Sequence, residues 1–271
     1  MRQFHAPKRA YSTIHAAGTG SPREEKIRIE DLRKSFADKA VLAGVDLSVY
    51  EGEVLCVIGR SGSGKSVILK HLIGLLAPDS GTIRIDGVEF TGASELERHA
   101  LLSKIGVLFQ GGALFDSMNI FDNVAFGLRR RNAAEEEVAR VVPEMLSLVG
   151  LRGIEERMPS EISGGMQKRV ALARAAALKP EIMLYDEPTT GVDPITAGAV
   201  DRLILTMRDT LGVTSVVVTH DMKSAWRIAD RVAMLLDGRI AFTGTVEELK
   251  AAEDPFIRQF IEGRANGPRV A

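Results

Sequence analysis

Apolar and polar positions in this chain follow two periods, and the switches between them predict its elements. Ile27-Arg28-Ile29 and Val45-Asp46-Leu47-Ser48-Val49 alternate every second residue, as half-buried strands do. Glu51-Gly52-Glu53 turns the chain into the apolar run Val54-Leu55-Cys56-Val57-Ile58, which reads as a buried strand. Val67-Ile68-Leu69-Lys70-His71-Leu72-Ile73 then reads as a helix. Pro78-Asp79-Ser80-Gly81 is a turn before the alternating strand Thr82-Ile83-Arg84-Ile85-Asp86-Gly87. Ser94-Glu95-Leu96-Glu97 fits a capping box that opens a short helix, and Ile105-Gly106-Val107-Leu108-Phe109 reads as a further buried strand.

From about Asn119 to Arg157 the pattern is mostly helical, with Pro143 either interrupting it or starting a new helix. Strand–helix alternation then returns. Ile182-Met183-Leu184-Tyr185 and the run from Val213 to Thr219 read as buried parallel strands. Thr245-Val246-Glu247-Glu248 is a second capping box, and Asp254-Pro255 starts one more short helix ending at Gly263. Residues Met1 to Glu25, with Pro7, Gly18, Gly20, Ser21 and Pro22, carry no apolar period and read as a flexible tail. The expected fold is α/β: a parallel-sheet core with an antiparallel β segment. A tail covers 1–25, a main domain 26–250 with a helical subdomain inserted at about 112–165, and a C-terminal extension 251–271. No internal repeat is visible.

Composition narrows the class. A chain of 271 residues with 45% apolar and 26% charged content suits one large α/β domain. A net charge of −1 gives no electrostatic case for nucleic acid as the main partner. No apolar run is long enough to span a bilayer, and Met1 to Lys26 lacks a hydrophobic signal core. The single cysteine, Cys56, excludes an intrachain disulfide and fits a reducing cytoplasm. Its place inside an apolar strand marks it as an inert core residue.

The chemistry begins at Gly59-Arg60-Ser61-Gly62-Ser63-Gly64-Lys65-Ser66, which fits G-x-x-x-x-G-K-[ST] between a strand and a helix. Glycines let the backbone curl so that successive N–H groups face an anion, and the helix N-terminus adds its dipole. Lys65 would reach the β- and γ-phosphates of a nucleoside triphosphate, and the Ser66 hydroxyl would hold Mg²⁺. Asp186 and Glu187 follow a buried strand directly. Asp186 is suited to Mg²⁺ beside Ser66, and Glu187 to orienting or deprotonating the attacking water. His220 ends a third strand and suits a γ-phosphate contact. Gln110, also at a strand end, suits a water or Mg²⁺ contact, with an ordinary surface glutamine as its rival. Ile162-Ser163-Gly164-Gly165-Met166-Gln167 opens a helix and makes a second anion site. One nucleotide leaves that second site without work in its own subunit, whereas a head-to-tail dimer would bring Ser163 onto the partner's γ-phosphate.

Together these residues resemble the nucleotide-binding subunit of ABC transporters, a RecA-like P-loop NTPase. Gly59 to Ser66 match Walker A, and Ile182 to Glu187 match Walker B with its catalytic glutamate. Gln110 matches the Q-loop, His220 the switch histidine, Gly191-Val192-Asp193 the D-loop, and Phe36 the aromatic that stacks on adenine. Ile162 to Met166 match the signature motif, with Met166 where glutamine is commonest. The resemblance runs from about Lys26 to Gly244 and implies an ATP hydrolase that works as a homodimer on membrane permease subunits. Gly111-Gly112-Ala113-Leu114-Phe115-Asp116-Ser117-Met118, Pro188 to Pro194, Thr219 to Ala225 and Asp254 to Gly263 look like the subgroup that maintains lipid asymmetry. That resemblance implies phospholipid traffic between the two membranes, at the cytoplasmic face of a bacterial inner membrane. Its implied partners are a STAS-type regulatory subunit and a lipid-binding protein of the mammalian-cell-entry type.

The apolar stretch Ala113 to Leu128 stands open between a docking surface for a permease and core packing of the helical insertion. The apolar residues Phe256, Ile257, Phe260 and Ile261 predict that the C-terminal helix docks on protein. Three other classes fit less well. A chromosome-maintenance ATPase would need coiled-coil arms between Gly59 and Ser163, where no sustained heptads occur. A ribosome-acting cassette protein would usually carry two ATPase domains, and a simple kinase leaves Ser163 to Gly165 unexplained.

Overall fold

Strands β1 (Glu25–Phe36) and β2 (Lys39–Tyr50) form a long antiparallel pair, with Ile29 opposite Leu47. These coordinates are a computed structural model that describes residues 24–264. The tail expected over 1–25 lies outside the described residues as far as residue 23, and Glu25 already belongs to β1. Strand β3 (Val54–Ile58) is buried throughout and leads through a glycine-rich loop into helix α1 (Lys65–Leu72). Strands β4 (Ser80–Ile85) and β5 (Val88–Glu89) complete a four-stranded antiparallel sheet in the order β2-β1-β4-β5. Helix α2 (Glu95–Leu102) starts at the Ser94–Glu97 capping box and leads to β6 (Ile105–Leu108).

Three helices follow: α3 (Ile120–Arg130), α4 (Glu135–Leu148) and, after a short 3₁₀ turn, α5 (Gly164–Ala176). Pro143 neither interrupts α4 nor starts it, contrary to the sequence reading. It is itself exposed, on a helix whose buried Val138, Val141, Val142, Met145 and Leu146 pack well enough to outweigh the one backbone hydrogen bond that proline removes. Beyond α5 come β7 (Ile182–Asp186), α6 (Pro194–Leu211), β8 (Thr214–Thr219), α7 (Met222–Ile228), β9 (Arg231–Leu236) and β10 (Arg239–Gly244). The chain closes with α8 (Val246–Ala251), started by the Thr245–Glu248 capping box, and α9 (Pro255–Ile261).

The second sheet has the order β10-β9-β3-β8-β7-β6, parallel except for the edge strand β10. Alternation along β3 serves two cores. Leu55 and Val57 join the layer shared with α1 and the antiparallel sheet, while Val54, Cys56 and Ile58 face the helices beyond. Helix α9 seats Ile257 in that second core, with Phe260 and Ile261 packed against it, so this helix rests on its own chain. Burial raises the Cys56 thiol pKa far above its usual value and leaves the group unreactive.

His71, near the end of α1, is almost fully buried, and its Nδ1 lies 2.7 Å from the Val67 carbonyl oxygen. Burial, the largest influence, holds its pKa below the ordinary imidazole value of about 6.5. The unfolded chain therefore takes up this proton first on acidification. The stabilising contribution is whole above about pH 6.5 and erodes as pH falls through that value. Denaturant midpoints measured between pH 7.5 and 5.5 should decline in the wild type, and His71→Leu should flatten the decline. An equal slope in both proteins would remove His71 from the acid sensitivity.

Candidate functional site

The register of the parallel sheet gathers the candidate residues at one edge. Ile58 pairs with Thr219, Val218 with Asp186, and Tyr185 with Leu108, so β3, β8, β7 and β6 end side by side. Residues 59, 220, 187 and 110 follow those ends. An open parallel sheet offers its ligand crevice at this carboxyl edge.

The loop after β3 can be built only with glycine at its turning points. A Cβ on Gly59 would come within 2.6 Å of the Leu235 carbonyl oxygen, and Gly64 has φ +105. Gly64 caps α1 with no side-chain hydrogen bond, leaving the first helical amides facing the loop. Lys65 is only 5% exposed, and its Nζ donates to the carbonyls of Gly59 (2.9 Å) and Arg60 (3.1 Å). The buried Ser63 Oγ has no hydrogen-bond partner, a spare polar group on this loop. Arg60 and Ser61 are exposed on the loop's rim, with Gly62 at φ +74 beside them. This cradle fits the phosphates of a nucleotide.

Ser66 Oγ donates to Asp186 Oδ1 at 2.7 Å, across the gap between α1 and the end of β7. A hydroxyl and a carboxylate oxygen at that spacing fit a hard cation such as Mg²⁺. Glu187 follows in a left-handed conformation, φ 49, which costs a side-chain-bearing residue on the order of 1 kcal/mol. Its Oε2 accepts from His220 Nδ1 at 2.7 Å and from Thr190 Oγ1 at 3.1 Å, while Oε1 lies 3.5 Å from Lys65 Nζ. The glutamate is 12% exposed and the histidine 54%, so the pair spans the boundary between core and solvent. A carboxylate so held can orient or deprotonate a water, and the histidine can share the charge.

Three expected participants stand apart from this cluster. The exposed Gln110 makes no hydrogen bond through its side chain among the described residues, although the turn carrying it is closed by Gly112 N to Phe109 O at 2.8 Å. Phe36 sits at the end of β1, 44% exposed, with Lys34 Nζ 5.8 Å from its ring centre. Ser163 caps α5 by accepting from Met166 N at 3.3 Å, and a Cβ on Gly165 would fall 2.7 Å from Thr196 Cγ2. Among the described residues, no hydrogen bond or ion pair joins Ser163, Gly164 or Gly165 to the loop at Gly59. Asp193 caps α6 through Ile195 N and Thr196 N, and bonding to Thr196 lowers its carboxyl pKa. Thr190 on Glu187 went unanticipated, because nothing in its spacing distinguishes it from a loop residue.

A family model described as "ABC transporter" matches residues 42–190. The chain belongs to the ABC transporter ATPase family. It is 42% identical over 254 residues to "Probable ribonucleotide transport ATP-binding protein mkl" of Mycobacterium tuberculosis, covering 93% of this chain and 71% of that protein. It is 40% identical over 243 residues to "Intermembrane phospholipid transport system ATP-binding protein MlaF" of Escherichia coli K12, covering 89% and 90%. A solved dimer of the ATP-binding cassette MJ0796, bound to ADP and Pi, superposes with a TM-score of 0.74 at 30% identity over 81% of this chain and 98% of that one. This cassette therefore binds and hydrolyses ATP, and cassettes of this family dimerise and work with membrane permeases. Among the described residues, no helix is long and apolar enough to cross a membrane.

Part of the stretch from Ala113 to Leu128 is core packing, and part is surface. Ile120, Val124, Ala125 and Leu128 are core residues of this cassette. Phe115 is 39% exposed and stacks at 4.6 Å on Phe126, which lines a surface groove with Met118, Asp122, Arg129 and Arg130.

Proposed function

We propose that this cassette powers phospholipid transport between the inner and outer membranes of a bacterium, bound peripherally at the cytoplasmic face of the inner membrane. The similarity to MlaF, which extends along nine-tenths of both chains, carries this reading. The ATPase domain is taken as 26–250 with its helical subdomain at 112–165. The Phe115–Phe126 groove is taken as the seat of the permease. A STAS-type subunit and a mammalian-cell-entry-type lipid-binding protein complete the proposed assembly.

In the proposed cycle, the amides of residues 59–66 and the Lys65 ammonium hold the phosphates, and Phe36 stacks on adenine. Ser66, Asp186 and Gln110 would hold Mg²⁺, which when bound neutralises charge on the β- and γ-phosphates. Glu187 takes a proton from the attacking water, whose oxygen bonds to the γ-phosphorus as the bond from that phosphorus to the ADP oxygen breaks. His220 steadies Glu187 and contacts the γ-phosphate. Ser163, Gly164 and Gly165 of one subunit close over the γ-phosphate held by the other, so its loss lets the pair separate.

Extraction of the intact complex in mild detergent, followed by mass spectrometry of bound small molecules, tests the substrate. Phospholipid that co-purifies and is released on ATP addition is the expected result. Ribonucleotide as the only transported ligand would overturn the lipid reading and favour the activity named for mkl.

A further inference from the structure

Helix α5 carries one buried cation, Lys168, and one half-buried cation, Arg174, and among the described residues no carboxylate pairs with either. Lys168 Nζ donates to the carbonyls of Pro188, at 3.0 Å, and Thr190. Six residues further on, Arg174 donates to the carbonyls of Gly112 (2.9 Å) and Ala113 (2.8 Å), with its guanidinium 5.4 Å from the Phe115 ring centre. Burial lowers the pKa of both groups, and no acidic residue acts on either. A buried cation satisfied only by carbonyls is a costly way to stabilise a helix, since an apolar residue would fill the space without desolvating a charge. The placement of the two carbonyl pairs supplies another reason for them.

Each cation holds a loop that carries one residue of the hydrolytic site. The Thr190 carbonyl rests on Lys168, while its hydroxyl donates to Glu187 Oε2 at 3.1 Å. The Gly112 carbonyl rests on Arg174, while its amide closes the turn that contains Gln110. Gly112 (φ 72) and Ala113 (φ 49) are both left-handed, a backbone that needs outside support at the alanine. The same helix begins at Ser163. One rigid rod therefore connects the group offered to the partner's nucleotide with two loops of its own site.

We propose that Lys168 and Arg174 are positioning residues for ATP hydrolysis: Lys168 aims Glu187 through Thr190, and Arg174 aims Gln110 through the Phe109–Gly112 turn. This rests on the reading of Glu187 as base and Gln110 as a Mg²⁺ contact. The full-length Lys168→Met and Arg174→Met proteins keep an unbranched apolar stem and lose the donors. In both, kcat should fall about tenfold or more while KM for ATP stays within about twofold and Tm shifts by only a few degrees. Arg174→Lys, which retains a charge and a donor, should recover part of the rate. Where a methionine variant folds poorly, Thr190→Val supplies the reading, because it removes only the hydroxyl on Glu187 and should lower kcat in the same way. Wild-type kcat in folded Lys168→Met and Arg174→Met overturns the inference. So does a loss that tracks Tm while Thr190→Val runs at full rate. Glu187→Gln measured alongside separates the two levels: full hydrolysis there removes the underlying reading. Inactivity there with full-rate methionine variants removes only this inference.

Discussion

Glu187→Gln is expected to bind ATP and form dimers while hydrolysing at least about a hundredfold more slowly, the scale of a positioned general base. The substitution keeps shape and keeps an oxygen that can accept from His220 Nδ1 and Thr190 Oγ1. It removes the capacity to take a proton, together with the negative charge 3.5 Å from Lys65 Nζ. The left-handed backbone at this position, φ 49, is equally demanding for glutamine and glutamate, so the fold should be retained. Phosphate release and size-exclusion chromatography with ATP measure the two halves of the prediction. A variant that turns over ATP at the wild-type rate would mean that another group takes the proton.

Complementation between two inactive proteins should reveal the shared pocket. Lys65→Met removes the phosphate-binding ammonium. Ser163→Asp keeps a side chain able to cap α5 but sets a negative charge where the partner's γ-phosphate would lie. Each protein alone should be nearly inactive. In an equimolar mixture half of the pairs are mixed, and each mixed pair has one pocket with both native residues. Activity should therefore return to roughly a quarter of wild type if pairing is head-to-tail. Absence of any recovery, with exchange of subunits verified by a tag, would mean that each chain hydrolyses ATP with its own residues alone. The separation of Ser163 from the Gly59 loop within the chain motivates the experiment.

The candidate residues that the sheet gathers at one edge were legible because each is announced locally. Glycines at 59, 62 and 64 mark a loop only they can form, and the apolar runs before Asp186 and His220 mark strands that deliver polar residues at their ends. Strand order was not legible. That β8 lies between β3 and β7 depends on packing among distant segments, and β9 and β10 at the far side went unread. Pro143 misled because its local penalty is visible in the sequence and its buried neighbours are not. Lys168 and Arg174 have the look of solvated helix charges, and only the tertiary structure brings backbone carbonyls onto them.

The single cysteine doubles as a built-in clock. Cys56 lies in the middle of β3, hydrogen-bonded between β8 and β9, with no exposed surface. A thiol reagent reaches it only when that central strand is released, so its labelling rate follows opening of the whole parallel sheet and ignores fraying at the edges. Nucleotide added to the same assay then reports how firmly the loop that begins three residues later ties the sheet together, with no engineered probe.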